Sequence, residues 1–268
     1  METHDFRLGR LFDRTTGRTM VVAFDRGLGA DASQGGESTS RIVEAVVDSG
    51  ADGILLSPGV LDRSRHLLAH RDAPAVLVRT DFIFLGDLQP AGTAGTGEVY
   101  RTLITASEAA ALGADGIVMF LILGNADDAV TADNAQAVAK AARDAHRVGL
   151  PLIVETVLWG SRVKNQNDVD ALIYVNRLAA ELGADAVKTQ FTGDAESMRR
   201  VIANCPVPLL LLGGPRTDSD DELVASTTEA LASGARGLVY GRNVWQSADP
   251  EATARRLHEL VHGLAFAV

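Results

Sequence analysis

The repeating unit of this chain is clearest in the stretch Leu182-Gly183-Ala184-Asp185-Ala186-Val187-Lys188-Thr189-Gln190. The glycine can end a preceding helix in the left-handed conformation, and the apolar run after it is typical of a buried strand. Related turns, Gly-Ala-Asp or Gly-Ala-Arg, occur at residues 49–52, 112–115 and 233–236. Repetition of a helix–turn–strand unit indicates a βα architecture.

Working outward from this unit, eight apolar runs are predicted to be strands. Strands that are apolar on both faces are typical of a parallel sheet covered by helices. Eight βα units in roughly 250 residues predict a single (β/α)8 barrel domain over residues 1–268. A doubly wound open sheet is the alternative, although no Gly-x-Gly-x-x-Gly sequence follows the first strand. The predicted strands are Thr19–Asp25, Gly53–Ser57, Ala75–Thr80, Gly116–Ile122, Leu152–Thr156, Ala184–Gln190, Val207–Leu212 and Gly237–Tyr240.

Composition limits the classes of function. The net charge of −10 argues against a nucleic-acid-binding or anionic-membrane surface, so the expected partner is a small molecule. The single cysteine, Cys205, excludes an internal disulfide framework and a site with several cysteine ligands. The sequence shows neither a signal peptide nor an apolar run of about 18 residues, and we therefore expect a cytoplasmic protein.

Lysine is rare in this chain, and one lysine lies inside a predicted strand. Of 25 basic residues only Lys140, Lys164 and Lys188 are lysines. A desolvated lysine can lose its proton and act as a nucleophile, which arginine cannot do. Strand alternation places Lys188 and Gln190 on one face, beside the small Ala186. Lys188 is therefore a candidate Schiff-base lysine, and the alternative is a lysine that pairs with a nearby carboxylate.

Two carboxylates stand at the ends of other strands. In a barrel the chemistry lies at the C-terminal ends of the strands. Asp25 ends the first strand and is a candidate general acid or base, or else a turn residue. Glu155 ends the fifth strand, and it could transfer protons or neutralise an inward arginine or lysine.

Glycine turns follow the last two strands. The seventh strand leads into Gly213-Gly214, and the eighth leads into Gly241-Arg242. Many barrels bind phosphate at this place through backbone N–H groups. The two turns predict a phosphate site to which Arg242 adds a bidentate contact.

Together these residues resemble the archaeal-type class I fructose-bisphosphate aldolases, a group that also includes aldolases making amino-deoxy-sugar precursors from aspartate semialdehyde and a thiolase of autoinducer breakdown. The resemblance covers nearly the whole chain. Its most specific parts are the lysine strand and the motif at residues 241–246. The matching segments are Arg7–Phe12, Phe24-Asp25, Val187-Lys188-Thr189, Gly193-Asp194, Gly213-Gly214-Pro215 and Gly241-Arg242-Asn243-Val244-Trp245-Gln246.

The resemblance implies a metal-independent and cofactor-free aldolase that acts on a phosphorylated ketose, with dihydroxyacetone phosphate or a similar ketone phosphate as donor. It implies that Lys188 forms the Schiff base, that Asp25 assists proton transfer, and that a homo-oligomer forms. It also implies phosphate contacts from Gly213, Gly214, Gly241 and Arg242.

Two positions depart from the family pattern. The family commonly has His where this chain has Arg26, and a Tyr acid where it has Val157. Glu155 could supply the missing proton, while Arg26, Arg162 and Lys164 could bind an acidic acceptor or a second phosphate. The departures also leave open a relative with different acceptor chemistry, using aspartate semialdehyde or a thioester. A non-catalytic sugar-phosphate-binding barrel is the third alternative. The Gly/Pro-rich stretch Gly86–Gly97 could be a mobile lid.

Overall fold

Eight parallel strands close into a barrel. The computed structural model describes residues 3–25, 27–28, 35–84, 98–214 and 216–263. The barrel strands are β1 Thr19–Phe24, β2 Gly53–Leu56, β3 Ala75–Arg79, β6 Gly116–Leu123, β7 Leu152–Leu158, β8 Ala186–Thr189, β9 Leu209–Leu212 and β10 Gly237–Tyr240. The barrel order is β1-β10-β9-β8-β7-β6-β3-β2, in which β1 pairs with both β10 and β2. This closure confirms the (β/α)8 fold and excludes the open doubly wound sheet.

All eight predicted strands are present, within two residues of the predicted bounds at each end. A two-stranded antiparallel sheet was not predicted, and it consists of β4 Asp81–Phe84 and β5 Val99–Thr102. The predicted lid, Gly86–Gly97, lies between these strands and outside the described residues.

Helices cover the outside of the barrel. They are α1 Thr3–Leu11, α2 Thr39–Ser49, α3 Pro58–Leu68, α4 Ala106–Ala111, α5 Asp128–Arg147, α6 Val169–Glu181, α7 Ala195–Ala203, α8 Asp220–Ala232, α9 Arg242–Trp245 and α10 Pro250–Gly263. Among the described residues, no helix combines the length and the apolar character needed to cross a membrane.

Two hydrophobic layers result from the strand alternation. One set of side chains packs between the strands and the helices. The other set fills the barrel interior, with Leu11 of α1 packed against its lower end. The interior set includes Ala23, Leu77, Ile153 and Ala186. Residues two positions further along these four strands therefore point inward as well, toward the barrel mouth.

The repeated Gly-Ala-Asp turns form the opposite, lower end of the barrel. Their glycines all have positive φ, as the sequence predicted. Their aspartates accept backbone N–H groups from neighbouring strands: Asp52 from Met20 at 2.7 Å, Asp115 from Val76 at 2.9 Å and Asp185 from Leu152 at 2.7 Å. Each aspartate lies at the turn before one strand and thus holds the beginning of the neighbouring strand in the barrel.

Candidate active site

Lys188 points into the barrel mouth. It lies two residues after Ala186, an interior residue of β8, and its side chain is only 7% exposed. Its Nζ atom lies 2.7 Å from Oε1 of Glu155, its register partner on β7. The inward orientation predicted for Lys188 is therefore found, and so is the pairing with a carboxylate that was its alternative.

Glu155 joins two cations. Oε1 meets Lys188, and Oε2 accepts a short hydrogen bond from the guanidinium of Arg79. Burial alone would raise the pKa of Glu155, but the charges of Lys188 and Arg79 outweigh burial and hold it below its usual range. Glu155 is consequently ionised at rest.

Arg79 is the centre of the network. It lies at the end of β3, two residues after the interior residue Leu77, and its side chain is 1% exposed. Nε donates to Oδ2 of Asp25 at 2.9 Å, and the guanidinium carbon lies 3.8 Å from the centre of the Phe120 ring. Burial would lower the pKa of Arg79, but Glu155, Asp25 and Asp81 together raise it.

Asp25 and Asp81 complete the group on the other side of Arg79. Asp25 is buried at the end of β1, as predicted for a strand-end carboxylate. Oδ1 of Asp81 lies 3.5 Å from a terminal nitrogen of Arg79, while Oδ2 accepts the Phe120 N–H at 2.6 Å. Burial raises the pKa of Asp81 to about 7, against the opposing charge of Arg79. Three carboxylates and two cations are thus connected side chain to side chain.

The turns after β9 and β10 lie side by side. Asn243 of α9 donates from Nδ2 to the Gly213 carbonyl at 2.8 Å and accepts the Thr217 N–H at 2.9 Å. A Cβ atom on Gly241 would lie 3.0 Å from the Ala23 carbonyl oxygen, so glycine allows this close approach to β1. Asn243 therefore holds the two predicted phosphate turns together.

The remaining predicted residues that the structure describes are spread over the mouth and its rim. Gln190 is buried and donates to Oδ1 of Asn167 at 2.8 Å. Arg162 is exposed and pairs with Asp128 at 2.5 Å, and Lys164 is exposed. Arg26 lies outside the described residues.

Val157 occupies the position where the resemblance places a tyrosine acid. It lies on β7, two residues beyond Glu155, and is fully buried. A valine side chain cannot donate a proton. Any acid at this level of the site must come from another residue.

Comparison with known proteins identifies the family. A model of DeoC/LacD family aldolases matches residues 19–247. The chain belongs to the DeoC/LacD aldolase family. An uncharacterized aldolase of Saccharolobus solfataricus is 31% identical over 259 residues, which cover 96% of this chain and 94% of the relative. A 2-amino-4,5-dihydroxy-6-oxo-7-(phosphonooxy)heptanoate synthase of Streptomyces griseus is 28% identical, over 96% of this chain and 89% of the relative.

A solved structure of an aldolase also matches this chain. An archaeal fructose-1,6-bisphosphate aldolase, with its catalytic Lys covalently bound to the carbinolamine intermediate of the substrate, is 25% identical. It superposes with a TM-score of 0.82 over 98% of this chain and all of that one. The resemblance to archaeal-type class I aldolases is confirmed. This DeoC/LacD family member is a class I aldolase, an enzyme type that works through a Schiff base on lysine.

Sequence reasoning missed the central cation of this aldolase. Arg79 was inside the third predicted strand but was not singled out. The sequence does contain a sign of its role, because Arg79 is a charged residue near the end of an apolar strand, as Glu155 and Lys188 are. Asp81 and Asn243 were missed as well, since each acts through contacts with residues distant in sequence.

Proposed function

We propose that Lys188 is the Schiff-base lysine and that the substrate is a phosphorylated ketose, with dihydroxyacetone phosphate or a similar ketone phosphate as donor. The observation that carries this proposal is the buried Lys188–Glu155–Arg79 chain inside the barrel mouth. The amine lies beside a carboxylate that can accept its proton. Arg79 keeps that carboxylate charged and in place.

The proposed reaction begins with proton transfer from Lys188 to Glu155. The free amine attacks the ketone carbon, giving a carbinolamine, and loss of water leaves an iminium. Asp25 is proposed to take the proton of the hydroxyl group beside the breaking C–C bond, the iminium accepts the electron pair of that bond, and an aldehyde departs to leave an enamine. Protonation of the enamine carbon and addition of water then release the ketone and restore the amine.

Two side chains are proposed to move protons in these steps. Glu155 takes the first proton and can return it to the departing hydroxyl of the carbinolamine. Asp25 lies across Arg79 from Glu155 and is proposed as the second proton carrier. Arg79 positions both carboxylates.

The substrate phosphate is proposed to bind at the turns held together by Asn243. Backbone N–H groups of Gly213, Gly214 and Gly241 are the proposed donors, with Arg242 adding a charged contact. Gln190 shares the inward face of Lys188 and is a proposed substrate contact, as is Arg26. We further propose that the chain acts as a homo-oligomer, which sedimentation measurements would test.

Borohydride reduction tests the lysine directly. With dihydroxyacetone phosphate present, reduction of the iminium should leave one stable adduct, which peptide mass spectrometry should place on Lys188. Lys188→Met should abolish the adduct. Lys140→Met is the matched control, because Lys140 is exposed and pairs with Asp144 on the outer helix α5. An adduct that persists in Lys188→Met would refute the assignment.

Val157 favours a second candidate function. Since the tyrosine acid is absent, the aldolase could join its donor to an acceptor such as aspartate semialdehyde rather than cleave fructose bisphosphate. Parallel assays with a ketose bisphosphate, aspartate semialdehyde and a thioester separate the possibilities. Turnover of aspartate semialdehyde alone, with the Lys188 adduct retained, would establish the second candidate.

A further inference from the structure

A second charged cluster lies at the lower end of the barrel, away from Lys188. It consists of Asp52, at the turn before β2, with His258 and His262 of α10. Nε2 of His262 lies 2.9 Å from Oδ2 of Asp52, and Nε2 of His258 lies 3.7 Å from Oδ1. The three possible ligand atoms all lie within 4.8 Å of one another.

The two histidines are one helical turn apart, in the sequence His258-Glu259-Leu260-Val261-His262. Residues at positions i and i+4 share one face of a helix. Two histidines at this spacing form a zinc-binding pair in helical metal motifs. The spacing alone is a weak signal, and the contacts of His262 strengthen it.

The hydrogen atoms around His262 can be assigned. Thr16 has one hydroxyl hydrogen, which it donates to the Asp13 carboxylate at 2.9 Å. With that hydrogen on Asp13, the Thr16 oxygen accepts from Nδ1 of His262, also 2.9 Å away. In this tautomer Nε2 turns its lone pair toward Asp52, which is the arrangement that a metal ion needs.

The ligand atoms are close enough to meet at one ion. Bonds of about 2.0–2.2 Å in a tetrahedral site place neighbouring ligand atoms about 3.4 Å apart. His262 lies 2.9 Å from one carboxylate oxygen of Asp52 and His258 lies 3.7 Å from the other, so small side-chain shifts bring them to this spacing. Supporting contacts are also present, because Met20 N–H orients Asp52 and Thr16 orients His262. His258 is 30% exposed, so an ion can reach the cluster from solvent.

We propose that Asp52, His258 and His262 bind one divalent transition-metal ion per chain. Two imidazoles and one carboxylate suit zinc best. The ion would fasten α10 to the start of β1 and β2 at the lower end of the barrel. This role is structural, and it leaves the metal-independent chemistry proposed for Lys188 unchanged.

A similar group at the lower end provides an internal comparison. His4 of α1 and His146 of α5 both contact Asp185, at 3.3 and 2.9 Å. Their rings stack 4.2 Å apart at an angle of 14°. Rings stacked this nearly parallel aim their nitrogen lone pairs side by side rather than at one point, whereas the rings of His258 and His262 are tilted by 52°. We therefore assign the metal to Asp52, His258 and His262.

Zinc binding by the full chain tests the proposal. After treatment with a chelator, the protein should take up about one equivalent of zinc, and its melting temperature should rise with zinc concentration. Cobalt in place of zinc should give the absorption bands of a four-coordinate site. His258→Gln/His262→Gln should lose all three signals and retain the borohydride adduct on Lys188. The matched control is His66→Gln/His70→Gln, which changes an exposed pair of histidines at the same spacing. This variant should bind zinc as the parent protein does.

A second variant tests the supporting contact without changing a ligand. Thr16→Val removes the oxygen that accepts from His262, and we expect zinc affinity to fall about 10–100-fold. The proposal is overturned if the parent binds no stoichiometric zinc, or if the His258/His262 variant binds it as the parent does. Loss of zinc from His4→Gln/His146→Gln, with retention in the His258/His262 variant, would also overturn the assignment.

Discussion

The two ends of the barrel both contain buried carboxylates, but they hold them in different ways. At the lower end, Asp52, Asp115 and Asp185 each accept a backbone N–H from the start of a neighbouring strand. Such a carboxylate cannot move without disturbing the strand it fastens. We infer that these aspartates serve the fold.

At the mouth, the carboxylates contact mainly other charged side chains. Glu155 bridges Lys188 and Arg79, and Arg79 continues to Asp25. Side chains held in this way can exchange protons and partners while the strands stay in place. The lower aspartates meet charged side chains too, as Asp185 meets His146, but each also holds the start of a strand through its backbone, and this added contact marks the structural role.

The largest expected effect comes from removing the charge of Glu155. Glu155→Gln keeps the shape but cannot accept the proton of Lys188, and kcat should fall by about 10²–10⁴-fold. Asp185→Asn is the matched change at the lower end, and it should leave kcat within about twofold, because it is remote from the reacting atoms. Steady-state kinetics of both variants measures the contrast. An equal loss in both would remove the distinction between the two ends.

Removing Arg79 should give the largest effect on stability. Arg79→Met leaves Glu155, Asp25 and Asp81 buried around an apolar side chain, and the free energy of unfolding should fall by about 3–5 kcal/mol. Urea unfolding measures it. The control is Arg177→Met, which removes an exposed pair with Glu181 and should change stability by at most about 0.5 kcal/mol. Similar values for the two variants would show that the mouth network contributes little.

The difference between the ends also explains what the sequence could predict. Buried parallel strands are apolar on both faces, so all eight could be recognised from composition. The Gly-Ala-Asp turns repeat because each fastens a strand in the same way, and this repeat can be recognised in the sequence. The mouth network does not repeat, since each of its residues comes from a different strand and is defined by its neighbours in space.

Two particular residues show where sequence reasoning ended. Glu155 had two predicted roles, and only the fold could show that it contacts both Arg79 and Lys188. Asp52 was seen as part of a turn, while its histidine partners lie more than 200 positions later in the chain. Contacts at such separation leave no periodic pattern to recognise.

A smaller effect is expected from the backbone contact of Asp185. Asp185→Ala leaves the Leu152 N–H without an acceptor and should cost about 1–3 kcal/mol. Asp185→Asn retains an oxygen that can accept this hydrogen bond and should cost less. Urea unfolding of both variants gives the difference. If alanine and asparagine cost the same, the backbone contact would not be the reason for the aspartate.

The smallest expected effect is a pH dependence with opposite sign at the two ends. Burial raises the pKa of Asp81, at the mouth, to about 7 from about 3.9 in an unfolded chain. Burial would raise the pKa of Asp52 too, but His258, His262 and the Met20 N–H outweigh it and lower that pKa. The folded chain therefore binds the Asp81 proton more tightly than the unfolded chain does, and the Asp52 proton less tightly.

The signs then follow from linkage. Between about pH 4 and 7 the folded state holds more protons at Asp81, so its contribution is full below pH 4 and is lost as pH rises through about 7. The contribution of Asp52 is full above its unfolded value and is lost as pH falls through its lowered folded value. In the parent, Asp81 should make the unfolding free energy decline as pH rises from about 4 to 7, and Asp81→Asn should abolish that decline. Asp52 should make the unfolding free energy fall as pH drops below its unfolded pKa, and Asp52→Asn should abolish that fall. Urea unfolding of the parent and both variants across this range measures the two slopes, and slopes of the same sign would contradict the opposite pKa shifts of Asp81 and Asp52.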